Sequence, residues 1–317
     1  MKTVYLNYPQ TMNKGTLNDC VMALGYFDGI HLGHQKVINT AKNIADKEKL
    51  ETAVMTFDPP PAVVLGHKPK MSYITPISEK EKLIRELGVD TLYIVRFTLS
   101  FANLTPQQFI DDYIIGLSAK HVVAGFDYTY GRLGKGTMET ISFHSRGQFD
   151  HTIVHKVEEE NIKISSTLIR ECIQKGEVEV LPNYLGRFYY VKGIVSDGEK
   201  RGRTIGFPTA NITLSEDYLI PKLGVYAVKM TVGNHTYTGV CNVGFKPTFH
   251  NEKPEFPTIE VHLFHFDQNI YKERVAVEWH KRLRDEKKFS SVEQLVAQIG
   301  ADKEQALHYF SMNKEDK

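Results

Sequence analysis

Long apolar runs are missing from this sequence: nowhere do about 18 consecutive apolar residues occur, the length a membrane-crossing helix needs. The opening stretch, Met1-Lys2-Thr3-Val4-Tyr5-Leu6-Asn7-Tyr8-Pro9, lacks the sustained apolar centre and small-residue cleavage site of a secretory leader. Cysteine is scarce. Cys20, Cys172 and Cys241 are odd in number, far apart and free of C-x-x-C spacing, so neither a disulfide framework nor a zinc ribbon is supported. An excess of one charge is absent too. The 39 Lys and Arg against 38 Asp and Glu leave +1, no overall field to hold nucleic acid or an acidic membrane, so any anionic ligand needs a local site. No G-x-x-x-x-G-K-[ST] occurs, which disfavours a P-loop kinase. These absences lead to the expectation of a soluble, cytoplasmic protein in a reducing compartment, with neither nucleic acid nor membrane as partner.

What is present is ordinary for a globular chain: 317 residues, 41% hydrophobic and 24% charged, enough for two domains with sizeable cores. In the first half, apolar β-branched runs alternate with helical periodicity. Val21-Met22-Ala23-Leu24 is followed by a turn and then by Val37, Ile38, Ala41, Ile44 and Ala45 at helical spacing. Strand-like runs recur at Thr52–Phe57, Thr91–Val95 and His121–Ala124, each separated by room for a helix, which predicts a parallel sheet covered by helices. Ligands of such sheets bind beyond the carboxyl ends of the strands. After Gly176 the pattern becomes short runs of period two: Arg187–Lys192, Val225–Met230, His235–Val240 across a Gly233-Asn234 turn, and Thr258–Phe264. The boundary is expected near Leu181 to Gly186, giving domains 1–182 and 183–317, the second an antiparallel β-barrel ending in a helix from Ser290.

Two segments stand where a strand or loop hands over to a helix. Gly25-Tyr26-Phe27-Asp28-Gly29-Ile30-His31-Leu32-Gly33-His34 combines glycines that admit close backbone approach, free N–H donors at a helix start, and two imidazoles able to donate to phosphate charge. Lys163-Ile164-Ser165-Ser166-Thr167-Leu168-Ile169-Arg170 adds hydroxyls, which could equally be helix caps, and an arginine suited to a bidentate phosphate contact.

These segments resemble the paired signatures of the nucleotidyltransferase superfamily, specifically the adenylyltransferase module of bacterial FAD synthetases. The run from Ala124 to Gly136 is similar to the flavin-side loop of that module. Further on, Gly198-Glu199-Lys200-Arg201-Gly202-Arg203-Thr204-Ile205-Gly206-Phe207-Pro208-Thr209-Ala210-Asn211 looks like the riboflavin kinase signature, and Cys241–Phe249 with Glu260 resembles its downstream part. The resemblance implies a Rossmann-like N-terminal domain and a kinase-type barrel. It implies MgATP-dependent conversion of riboflavin to FMN with release of ADP, then of FMN to FAD with release of pyrophosphate. Glu260 is implied as general base; His31, His34 and Arg170 as charge stabilisers in adenylyl transfer. Gly25, Phe27, Asp28, Gly29, Gly33, Ser165, Ser166 and Thr167 are implied at one ATP site, and Gly202, Arg203, Gly206, Pro208, Thr209 and Asn211 at the other. Thr209 and Asn211 supply hard oxygens for Mg²⁺. Asp127, Tyr128 and Glu260 are implied on the flavin side.

Alternation in the strand from Thr258 puts Glu260 on one face with His262 and Phe264, opposite Ile259, Val261 and Leu263. One position departs from the family pattern: Pro60 stands where a histidine is common, and proline offers neither a side-chain donor nor a backbone N–H. Alternatives at this stage are therefore a protein keeping only one of the two activities, or a flavin-binding regulator. A class I aminoacyl-tRNA synthetase, suggested by Lys70-Met71-Ser72, finds no basic face for tRNA.

Overall fold

A computed structural model describes residues 1–10, 17–67, 70–197, 202, 205–245 and 257–313. The chain divides into two compact units, Met1–Ser166 and Thr167–Lys317. The division precedes the 182/183 boundary expected from the sequence. No helix among the described residues is long and apolar enough to cross a membrane.

The first unit is built on six parallel strands: β1 (Lys2–Leu6), β2 (Cys20–Leu24), β3 (Glu51–Asp58), β4 (Thr91–Arg96), β5 (Ala119–Gly125) and β6 (Asp150–Val154), in the order β1-β4-β3-β2-β5-β6. Both faces of this sheet are buried, as near-continuous apolar strands require. Val21 and Ala23 point to a cluster with Val37, Ile38, Ala41 and Ala45 of helix α1 (Leu32–Glu48), whereas Met22 and Leu24 join Phe109 and Tyr113 on the other side. Helix α2 (Ile77–Glu86) precedes β4. The chain runs outward from β2 to β4 and then returns to lay β5 on the opposite flank of β2. The strand order therefore reverses between β2 and β5, and a crevice opens beyond their carboxyl ends.

Helix α3 (Ser166–Lys175) carries the chain from the first unit into the second and ends at Gly176 with φ 82°. Strands β7 (Tyr189–Ser196), β8 (Ala210–Leu214), β9 (Gly224–Val232), β10 (His235–Gly244), β11 (Thr258–Leu263) and β12 (Arg274–Arg284) close into a barrel in the order β7-β8-β11-β10-β9-β12, β12 pairing back onto β7. The β9–β10 hairpin turns at Gly233-Asn234 as its sequence predicts, with Gly233 at φ 58°. Inside, Trp279 and Tyr226 are fully buried and meet edge to face, centroids 5.3 Å apart. The terminal helix α4 (Val292–Met312) is capped by Ser291 and tied to β12 through Arg284, whose Nε and Nη2 each donate to a carboxylate oxygen of buried Asp302 at 2.8 Å.

One facing assignment needs correction. The alternation of β11 holds for Glu260 and His262 against buried Ile259, Val261 and Leu263, but the strand ends at Leu263. Phe264 turns inward instead and packs with Ala227, Val240 and Ala306, where its ring is shielded from water.

Candidate functional sites

In the first unit a cavity of about 990 Å³ lies at the strand-order reversal. The β2–α1 turn forms one wall and is held by specific contacts. Phe27, Gly29 and Ile30 all take positive φ, at 54°, 93° and 41°. A Cβ on Gly25 would come within 2.8 Å of the Phe27 ring, so glycine is what lets that ring fold back. Asp28 is buried, and its Oδ1 accepts the backbone N–H groups of Ile74 (3.1 Å) and Thr75 (3.0 Å). Asp28 thus fastens the turn to a neighbouring loop, and its carbonyl accepts the Ser166 hydroxyl at 2.7 Å.

His31 caps α1: its Nδ1 accepts the His34 N–H at 3.2 Å, which places the proton of a neutral ring on Nε2. The His31 and His34 rings stack with centroids 3.5 Å apart, and a Cβ on Gly33 would sit 3.0 Å from the His31 ring. Nδ1 of His34 is buried without a hydrogen-bond partner among the described residues. Burial above all, then the neighbouring His31 and Lys80, push the His34 ring well below the usual imidazole range. Both histidines line the cavity with Gly25, Phe27, Ser165 and Ser166.

Across the cavity the walls are aromatic. Phe57, Phe97, Phe101 and Phe109 form a chain of ring contacts at 5.4–6.2 Å that continues to Tyr130 at 5.4 Å. Tyr128 and Asp127 also line it; Asp127 is exposed and pairs with Lys163 at 2.7 Å. One end therefore suits a planar apolar group and the other an anion.

In the barrel, Glu260 pairs in register with Asn211 on β8 and with Asn242 on β10. The Asn211 Oδ1 is buried and lacks a hydrogen-bond partner among the described residues, although such acceptors are normally satisfied. Four residues before Asn211, Phe207 N–H donates to the Gly202 carbonyl at 2.8 Å, folding residue 202 toward 207; a Cβ on Gly202 would lie 3.4 Å from Thr209 Oγ1. His262, on the Glu260 face, donates from Nδ1 to the Pro208 carbonyl at 2.8 Å. A buried orphan oxygen two residues from a threonine hydroxyl is a donor set that fits a hard cation.

Residues 13–168 match the FAD synthetase family model, and residues 185–310 match the riboflavin kinase model. Over 312 residues the chain is 52% identical to the bifunctional riboflavin kinase/FMN adenylyltransferase of Bacillus subtilis (strain 168), spanning 98% of this chain and 99% of that protein. The chain belongs to the bifunctional riboflavin kinase/FMN adenylyltransferase family. The Listeria monocytogenes protein of the same name is 48% identical over 98% of this chain and 99% of its own. A crystal structure described as a macrolide-efflux protein from Streptococcus pneumoniae superposes with TM-score 0.86 at 38% identity, covering 99% of each chain.

In this family member the turn residues Gly25, Phe27, His31, Gly33 and His34 share one cavity with Ser165, Ser166, Asp127 and Tyr128. Asp28 and Gly29 act within the turn, while Thr167 and Arg170 follow in α3 of the second unit. Arg203 lies outside the described residues, as do 198–201 and 246–250. Gly206 has φ 84°, and Pro208 and Thr209 are exposed beside β8. Pro60 is buried, and its carbonyl accepts Val63 N–H at 3.0 Å; on that side Pro61 and His67 line the cavity. Sequence reasoning missed the aromatic wall, which is gathered from separate segments, and it missed Lys80, a buried cation inside a helix whose periodicity announces only a surface face.

Proposed function

We propose that both halves are active. The second unit phosphorylates riboflavin to FMN, and the first, with its cavity at the sheet's reversal point, joins FMN to AMP from ATP to give FAD. The observation that carries this is the end-to-end match to bifunctional relatives, with a chemically coherent site in each unit.

In the barrel, Glu260 takes the proton of the ribityl hydroxyl as its oxygen attacks the γ-phosphorus of ATP, and ADP leaves. Thr209 and Asn211 are the residues that would hold Mg²⁺, and the orphan Oδ1 supports that role. When bound, Mg²⁺ would draw charge from the transferring phosphoryl oxygens. His262 fixes the Pro208 carbonyl and so the backbone leading into Thr209.

In the first unit the FMN phosphate is already an anionic nucleophile, so no general base is needed. The turn's backbone N–H groups and the His31 and His34 rings steady charge as the α-phosphorus is attacked and pyrophosphate leaves. Motif resemblance assigns Thr167 and Arg170 to the same phosphate chemistry. The aromatic wall receives the flavin ring. The three buried free thiols, with burial driving Cys20 up to about 12, suit a reducing, cytoplasmic setting and take no part in transfer.

The test is incubation with MgATP and either riboflavin or FMN, followed by chromatographic separation of riboflavin, FMN and FAD. Both conversions are expected. FMN without FAD would limit the protein to the kinase reaction, and neither product would leave a flavin-binding regulator.

A further inference from the structure

Lys80 is a buried cation with no place in the mechanism above. It sits in the first turn of α2 and is 1% exposed. Its ammonium donates to the Tyr26 carbonyl at 2.8 Å and to Thr56 Oγ1 at 3.3 Å, and lies 4.4 Å from the centroid of the Tyr26 ring. Thr56 in turn donates its hydroxyl proton to the same Tyr26 carbonyl at 2.8 Å. Both hydrogen-bond acceptors of Lys80 are thus neutral. Burying an ammonium against neutral oxygens is costly, and an aliphatic side chain of that length would pack at less expense. The object held is the second residue of the phosphate-binding turn, and Tyr26 and His34 both line the cavity.

We propose that Lys80 is a positioning residue for FMN adenylylation: it fixes the turn through the Tyr26 carbonyl and sets a buried positive charge behind it. This rests on the first unit being the adenylyltransferase. The ammonium touches Tyr26 and Thr56, and the charged or titratable groups that interact with it electrostatically are Asp28 from the turn, Asp58 at the end of β3 and His34 on α1. Burial brings Lys80 down to about 8, opposed by the two carboxylates, so its charge is present at neutral pH and lost just above it. Across that titration the positive charge behind Tyr26, a residue of the cavity wall, is lost.

The experiment compares wild type, Lys80→Met and Lys80→Arg in FAD formation from supplied FMN across pH, with the His34 ring followed by NMR. For wild type, kcat is expected to fall as pH rises through about 8, and Lys80→Arg, which keeps its charge, should lose that fall. Lys80→Met should lower kcat by roughly tenfold to a hundredfold, the scale for a displaced reacting group, with the FMN KM little changed. The His34 titration should move upward in Lys80→Met, while the His121 and His144 signals stay in place and report an intact first unit. A wild-type kcat flat through about pH 8, or an undiminished kcat in Lys80→Met, overturns the proposal. Should wild type form no FAD at all, the adenylyltransferase reading falls instead, and the His34 titration still decides whether the Lys80 charge reaches that ring.

Discussion

Glu260 and Asn211 are direct cross-strand partners on β11 and β8, one carrying a carboxylate and the other a buried carbonyl oxygen without a hydrogen-bond partner among the described residues. If Glu260 is the base and Asn211 a cation ligand, as proposed, their places on paired strands put them together without loop closure. Glu260→Gln should therefore cut riboflavin phosphorylation by about a hundredfold or more, the usual worth of a positioned base, and leave FAD formation from supplied FMN intact. Chromatography of the two reactions checks this, and undiminished FMN production would remove Glu260 from the base role.

Asn211 makes an opposing pair of predictions. Leaving Oδ1 unsatisfied costs about 1–3 kcal/mol, so Asn211→Leu should leave thermal stability of the metal-free protein unchanged or raised. The same change should raise the KM for MgATP in the kinase reaction. A variant that loses stability and keeps its KM would show the oxygen to be a structural acceptor.

His31 has two duties that substitutions can separate. His31→Ala removes both the α1 cap and the imidazole; the cap is worth about 1 kcal/mol. His31→Asn restores a capping acceptor without the ring. Both variants should lose FAD formation and keep riboflavin phosphorylation, while only the alanine variant should melt earlier. Recovery of FAD formation in His31→Asn would reduce His31 to a cap.

His34 sets a pH dependence of stability. Its folded value lies below the unfolded imidazole value of about 6.5, so between the two the unfolded chain binds more protons. Stability is full above about 6.5 and falls as pH drops toward the folded value, by up to about 1.4 kcal/mol per pH unit. Denaturant titrations at a series of pH values should show this slope in wild type, and His34→Gln should flatten it.

The ion pair between Arg284 and Asp302 fastens α4 to the barrel. Asp302→Ala strands a largely buried guanidinium and should destabilise the second unit by about 3–5 kcal/mol. Urea melts followed by the fluorescence of buried Trp279 read that unit alone, because Trp279 is the chain's one tryptophan.

The parallel strands β2 to β5 were legible because buried strands of this type are uninterrupted apolar runs, as in Val21-Met22-Ala23-Leu24. β1 and β12 were not. Lys2–Leu6 is short and mixed, and Arg274–Arg284 interleaves charged residues with Val275, Val277 and Trp279, a pattern that a barrel strand with one wet face shares with many loops. The His31 and His34 turn could be read because its chemistry is contiguous. The aromatic wall and Lys80 could not, since proximity among Phe57, Phe97, Phe109 and Tyr130, or between Lys80 and Tyr26, is made by the fold and leaves no local spacing. The role proposed for Glu260 rests on family resemblance, since its local spacing marks only a strand face.

The two sheets differ in how they end. Among the described residues the barrel closes β12 onto β7 and leaves no strand edge open, whereas β1 pairs only with β4 and carries Tyr5 at 66% exposure. An unpaired edge with an exposed aromatic is a template for strand addition. Under thermal or chemical stress, aggregates should therefore nucleate on Lys2–Leu6, and a lysine at Tyr5 would blunt that edge.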